Sequence, residues 1–177
     1  MLGIIGIVIL SIIEPAIRSV IIIYIGILLG KYLSTCAHEL GHFFTGRVVG
    51  FDVKEVIIGE KSKLFAVNLF GTTFTFNLGF GGLNSVNISK HQKLKQRLII
   101  FILGGVTFQL ITIICIYLLL GLGNENNLFM PLIYILILMW DVTRALLPRE
   151  YYFSGIIFPS DGLRIKQILN MKEFNDI

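Results

Sequence analysis

The stretch Ser34–Gly46, STCAHELGHFFTG, places two histidines four residues apart with a glutamate directly after the first. Just before it, Ser19–Gly30 reads SVIIIYIGILLG, an almost unbroken apolar run. Residues four apart sit one above the other on a helix face. If run and motif form one helix, His38 and His42 can point at one metal ion. Ionisable groups inside a membrane span are costly and mark function more often than decoration. The reading of this stretch therefore turns on whether the run crosses a bilayer.

Composition says that it does. Of 177 residues, 55% are hydrophobic, the mean hydropathy is +0.82, and only 15% are charged, against about 25% in soluble domains. The apolar excess lies in long runs, as in a membrane protein. Leu2–Ile13 is apolar but shorter than the roughly 20 residues a span needs, and Glu14-Pro15 interrupts it. MLGIIGIVIL has no basic leader and no small-residue cleavage site, so we expect a retained apolar segment rather than a cleaved signal peptide. Ser19 to about Gly46 is long enough to cross. Leu98–Leu122 carries no charge, and Asn127–Leu147 is a further span containing Asp141 and Arg144.

Between these spans the texture changes. Phe51–Val86 is rich in β-branched and aromatic residues, and Thr73–Phe80 alternates strictly, with Phe74, Phe76, Leu78 and Phe80 on one side. A period of two marks a strand with one apolar face. Glu60–Lys63 and Gly71 read as turns. The expected fold is a mainly α, polytopic membrane protein. It has three core transmembrane helices, a short N-terminal apolar segment, and a small membrane-associated antiparallel β-sheet between the first two core helices. We treat 1–177 as a single domain: an apolar segment (1–18), the histidine helix (19–46), the sheet (51–86), two helices (98–122 and 127–147) and a final segment (148–177).

Basic residues set the orientation. Arg47–Leu98 holds eight Lys or Arg, the loop GLGNENN has none, and the tail after Pro148 has four. The sheet and the C-terminus are then cytoplasmic, the Asn124–Asn127 loop lies outside, and the histidines lie in the membrane near its cytoplasmic end. The net charge of +4 comes with no basic stripe of the kind that binds nucleic acid. Cys36 and Cys115 lie in apolar runs and are expected as reduced core residues rather than a disulfide.

His38-Glu39-Leu40-Gly41-His42 is the H-E-x-x-H pattern of zinc proteases, with Glu39 beside the ion as base rather than ligand. A buried glutamate beside two histidines needs a compensating charge, which a divalent cation supplies. A catalytic zinc site has three protein ligands and an open position. Two candidates exist for the third. Asp161 lies in FPSDGLRI, where Pro159 precedes a turn-like Asp-Gly. Asp141 lies one helical turn from Arg144, and we expect those two to form an intramembrane ion pair. His91 sits in a basic linker and reads as a surface residue.

In order along the chain, AHELGHFFTGRVVGFDV, GFGGLNSV, LGGVTFQL and LLPREYYFSGIIFPSDGLRI resemble the site-2 proteases, intramembrane zinc metalloproteases, in a minimal form without PDZ or CBS domains. The resemblance implies one zinc ion on His38, His42 and Asp161, with Glu39 as the catalytic carboxylate and a three-span core. It implies cleavage in or near transmembrane segments of membrane-bound substrates, of which anti-sigma factors, signal-peptide remnants and small peptide precursors are family examples. Val106 and Gln109 replace the family's Pro and Asn in the third helix, and Ala145 stands where an Asn precedes Leu-Leu-Pro. These departures bear on substrate positioning. They motivate a second reading, a non-catalytic metal-binding membrane protein: a pseudoprotease or a peptide-binding accessory. The Ile- and Asn-rich composition fits an AT-rich bacterium, and the expected location is a bacterial cytoplasmic membrane. An edge strand such as Thr72–Phe80 is expected to pair with an unwound substrate.

Overall fold

The computed structural model describes residues 15–88, 93–121, 129–153 and 155–171. The apolar segment Leu2–Ile13, His91 and the Asn124–Asn127 loop lie outside these residues. Helix α1 covers Pro15–Val48, 34 residues, about 51 Å at 1.5 Å per residue. Pro15 opens it, where the fixed φ suits a helix and the missing N–H has no intrahelical partner to lose. The run Ser19–Gly46 with its histidines is one unbroken helix. Helix α2 follows at Leu94–Gly121, α3 at Phe129–Leu146 and α4 at Asp161–Asn170.

Two helical stretches, Ile17–Val48 and Leu94–Ile116, are long and apolar enough to cross a membrane. Their outward side chains, such as Val20, Leu29 and Leu33 on α1 and Ile114 and Leu119 on α2, are exposed. An apolar surface of that extent is at home against hydrocarbon rather than water. Cys115 belongs to this exposed face and not to the core; both cysteines are free.

The sheet region comprises β1 (Asp52–Ile58), β2 (Lys63–Leu69), β3 (Thr72–Asn77) and β4 (Gly82–Asn87), in the spatial order β2-β3-β1-β4. Pairs β2–β3 and β1–β4 are antiparallel, and the middle pair β1–β3 is parallel. Hydrophobic alternation gives a strand its buried face but not its neighbour, so the parallel pair was not foreseen. The same order makes β3 an interior strand: Thr72–Phe80 is not the edge it was expected to be, and the sheet's edges are β2 and β4. Phe70 (φ 54) and Gly71 (φ 73) form the two-residue turn between β2 and β3, with both φ values positive as a type I′ hairpin needs. Arg47 of α1 steadies it, donating from Nη2 to the Phe70 carbonyl at 2.8 Å and to Thr72 Oγ1 at 2.7 Å.

Helix α1 works with two faces. Tyr32, Cys36, Leu40 and Phe43, spaced at helical intervals, pack on Val53, Val56, Ile58 and Phe74 of the sheet. Burying each such side chain stabilises the fold by about 1.5–3 kcal/mol. The other face, with Ser34, His38, Gly41, His42 and Thr45, meets α2. The two backbones nearly touch there: a Cβ on Gly104 would collide with Thr45 Oγ1 and stand 2.7 Å from the Gly41 carbonyl oxygen. Small residues permit such approach between membrane helices, and it brings α2 against the histidines.

Between α3 and α4 the chain forms a hairpin of β5 (Glu150–Phe153) and β6 (Ile156–Pro159). The sequence showed this stretch only as a long loop, because four-residue runs are too short to display a period. Ser160 closes the hairpin and caps α4. Its Oγ donates to the Leu147 carbonyl at 2.6 Å and accepts from the amides of Arg149 (3.0 Å) and Leu163 (3.3 Å).

Candidate functional site

The fold brings Asp161, 119 residues after His42, onto both histidines. Asp161 Oδ2 lies 3.0 Å from His38 Nε2 and 3.4 Å from His42 Nε2, and the two Nε2 atoms are 3.0 Å apart. The tautomers follow from the other ring nitrogens. His42 Nδ1 is 2.9 Å from the Phe101 carbonyl oxygen, which can only accept, so Nδ1 carries the proton. His38 Nδ1 is 3.1 Å from Gln109 Oε1. The Gln109 amide is oriented by its own Nε2, which donates to Ser34 Oγ at 3.0 Å; its oxygen therefore faces His38 and accepts. In both neutral rings Nε2 is left with a bare lone pair.

Three lone-pair atoms thus converge on one point, and buried Asp161 Oδ2 receives no hydrogen bond. Such a cluster repels itself unless a cation sits among the three, either a proton that makes an imidazolium or a metal ion. Donors about 2.0–2.1 Å from a tetrahedral ion lie roughly 3.3 Å apart, which matches the spacing seen. Burial pushes the Asp161 carboxyl pKa up, but where that cation is a proton, the imidazolium N–H at its oxygen outweighs this and holds it well below the usual carboxylate range. Gly105 backs the cluster. A Cβ there would stand 2.6 Å from His38 Cε1 and 2.7 Å from His42 Nε2, so the space beside the rings exists only because α2 has no side chain at this point.

Glu39 lies beside the cluster, buried and outside the three-atom set. Asn84 of β4 holds it, donating from Nδ2 to Glu39 Oε2 at 2.6 Å and to the Glu39 carbonyl at 3.2 Å. Gly82 of the same strand lets the backbone pass close: a Cβ there would fall 2.5 Å from Glu39 Oε1. A cleft of about 410 Å³ opens next to His38, Glu39 and Asp161, walled by Gly82 and by Tyr152 and Phe153 of the hairpin.

All three predicted ligands and Glu39 are therefore brought together. Asp141 is not among them. It pairs with Lys31 of α1, Nζ to Oδ1 at 3.5 Å, rather than with Arg144, because its helix face turns toward α1. Asn84 escaped sequence reading, as an Asn in a strand carries no local signal. Gln109 was seen only as a departure; here it fixes the ring of His38.

The family model described as Peptidase family M50 matches residues 24–171, a span that contains every residue of the site. The chain belongs to peptidase family M50. This is the site-2 protease family, so the resemblance read from the sequence is upheld. Among curated proteins, the M50 chain is 32% identical over 108 residues to a protein named "Putative zinc metalloprotease" from one Helicobacter pylori strain, covering 51% of this chain and 31% of that protein. A protein of the same name from a second strain is 32% identical over 106 residues, covering 51% and 30%. The M50 chain thus spans about a third of the length of these relatives.

Proposed function

We propose that this M50 chain is a zinc-dependent intramembrane endopeptidase, a single catalytic unit that hydrolyses peptide bonds in or near transmembrane segments of membrane-bound substrates. One zinc ion is held by His38, His42 and Asp161, and Glu39 is the catalytic carboxylate. The observation that carries this reading is the convergence of three lone-pair donors, with a buried carboxylate beside them, on a helix long enough to cross a membrane. Three core helices (α1, α2 and α3), a site near the cytoplasmic face of a bacterial membrane and a cytoplasmic C-terminus complete the proposal. They rest on the excess of basic residues in the sheet region and tail.

Zinc bound at this cluster supplies a Lewis acid for the scissile carbonyl and lowers the pKa of water to about 7. The chain's own groups do the rest. His42 and His38 are held in register by the Phe101 carbonyl and the Gln109 amide, the kind of outer support that sets ligand affinity. Glu39, aimed by Asn84, takes a proton from the attacking water and delivers it to the leaving amine. A helical substrate hides its amides in its own hydrogen bonds and must unwind to be cut. Strand β4, which runs past Glu39 and among the described residues pairs only with β1, offers main-chain groups to the unwound segment by strand addition. This role passes to β4 from the interior strand β3.

The non-catalytic alternative drew on the changed third helix. Gln109 weakens that motive, because it supports His38 rather than leaving a gap. The test is release of a labelled transmembrane peptide by purified protein in detergent, with and without zinc. Glu39→Gln should bind zinc and lose cleavage; cleavage at the wild-type rate would end the peptidase reading, and full zinc occupancy with no turnover on membrane peptides would favour the alternative.

A further inference from the structure

A second, smaller space lies against the metal cluster. It is a chamber of about 20 Å³, bounded by His38, His42, Glu39 and Asp161 and by two groups with no role so far, Tyr151 and Arg164. A chamber needs roughly 10–15 Å³ to admit one water, so this one, which the three ligands also bound, has room for an ion or a single small oxygen-bearing group and little more. Tyr151 arrives on β5, opposite Phe158 of β6, their rings 6.4 Å apart. The hairpin that carries it is pinned at its base by Ser160. Arg164 arrives on α4, three residues after Asp161 and so on the same helix face. It is half-buried, and no carboxylate among the described residues lies within ion-pairing distance of it.

A half-buried guanidinium beside a metal site is expensive unless an anion meets it. With zinc in place, two carboxylates face a divalent ion and this guanidinium, which leaves the site one positive charge in excess. The charge that appears during peptide hydrolysis is the negative oxygen of the scissile carbonyl. Fixed donors aimed at such a developing charge are a large term in catalysis. The Tyr151 phenol is suited to donate, because a phenol, with an ordinary pKa of about 10, keeps its proton through the neutral range.

Resting on the peptidase reading above, we infer that Tyr151 and Arg164 form the electrophilic wall of the active site, donating hydrogen bonds to the scissile carbonyl oxygen as it becomes negative. The water oxygen bonds to the carbonyl carbon, the carbonyl π pair moves onto its oxygen, and Glu39 takes the water's proton. The C–N bond then breaks as the carbonyl re-forms, and the proton passes from Glu39 to the amine nitrogen. Tyr151 and Arg164 keep their protons throughout. Both are catalytic residues in this account, because they touch the reacting oxygen.

The test uses the full chain in detergent and two probes: a labelled transmembrane peptide, and a phosphinic analogue whose tetrahedral phosphorus carries a negative oxygen. Tyr151→Phe keeps the ring and removes the donor; Arg164→Met removes the fork, and Arg164→Lys keeps the charge. Tyr151→Phe and Arg164→Met should each lower kcat by about 10²–10³-fold, as loss of one oxyanion donor does, with KM and zinc content little changed and Arg164→Lys intermediate. In a Glu39→Gln background, where no turnover is needed, the same changes should weaken the phosphinic peptide at least about tenfold and leave the planar peptide's Kd unchanged. Equal phosphinic affinity in wild type and both variants overturns the assignment and leaves the peptidase reading standing. A wild type that neither cuts the peptide nor binds the phosphinic analogue defeats the peptidase reading and this inference together.

Discussion

Replacing Gly105 by alanine is the most direct probe of the metal cluster, because it adds one methyl group and no charge. The new Cβ would stand 2.6 Å from His38 Cε1, 2.7 Å from His42 Nε2 and 2.8 Å from His38 Nδ1, whereas ordinary contact begins at 3.4 Å. The two rings must therefore retreat by 0.6 to 0.8 Å, the difference between those figures. A metal site tolerates about 0.2 Å in its ligand distances. The rings have little room to move, since Gln109 and the Phe101 carbonyl hold their far sides. We expect zinc affinity to fall at least about tenfold to a hundredfold, the range seen when a ligand's support is disturbed. Overpacking should cost a further 1–3 kcal/mol or so of stability. The assay is zinc titration against a competing chelator in detergent, with thermal melting alongside. Gly30→Ala is the control: its Cβ would crowd the Tyr134 ring at 2.6 Å, far from the ligands. Gly105→Ala with wild-type zinc affinity would refute the placement of Gly105 against the two rings, and with it the packing argument.

Three further outcomes follow from the same geometry. Gln109→Ala leaves His38 Nδ1 without its acceptor and should weaken zinc about tenfold to a hundredfold, read by the same chelator competition; unchanged affinity would detach Gln109 from the site. Asn84→Ala removes a 2.6 Å bond to Glu39, and bonds to charged groups contribute about 1.5–3 kcal/mol. Its kcat on a transmembrane peptide should drop about tenfold to a hundredfold at constant zinc content. Lys31→Met strands Asp141 and should cost about 1–2 kcal/mol in thermal unfolding, below the 3–5 of a fully buried pair because the lysine is 27% exposed. The double variant Lys31→Met, Asp141→Leu should recover most of that loss.

What the sequence disclosed depended on distance along the chain. His38, Glu39 and His42 were legible because a helix fixes neighbours four apart, and the helices themselves followed from apolar runs, although the histidine helix spans Pro15–Val48 where Ser19–Gly46 was expected. Asp161 was legible only through its Asp-Gly motif and the family resemblance, since no periodicity links position 161 to position 42. Asn84, Tyr151 and Arg164 reach the site through strand register, hairpin insertion and helix docking, none of which leaves a local mark. Asp141 shows the converse error. Arg144 was its neighbour in sequence, but the nearer cation in space, Lys31, comes from another helix. Strand alternation gave the right buried face for Phe74 while remaining silent on which strands flank it, and so the edge was assigned to β3 instead of β4.

Strand β2 has one more consequence. All seven of its residues are exposed, Leu64, Phe65, Val67 and Leu69 among them, and it ends the sheet with a side that pairs with no further strand among the described residues. In water, a bare apolar border of this kind is a template for joining another chain. Hydrocarbon is no refuge for this border either, because each unpaired amide or carbonyl there costs several kcal/mol. The apolar side chains of β2 and its unpaired backbone therefore ask for different surroundings, and only a boundary between an apolar and an aqueous phase offers both at once.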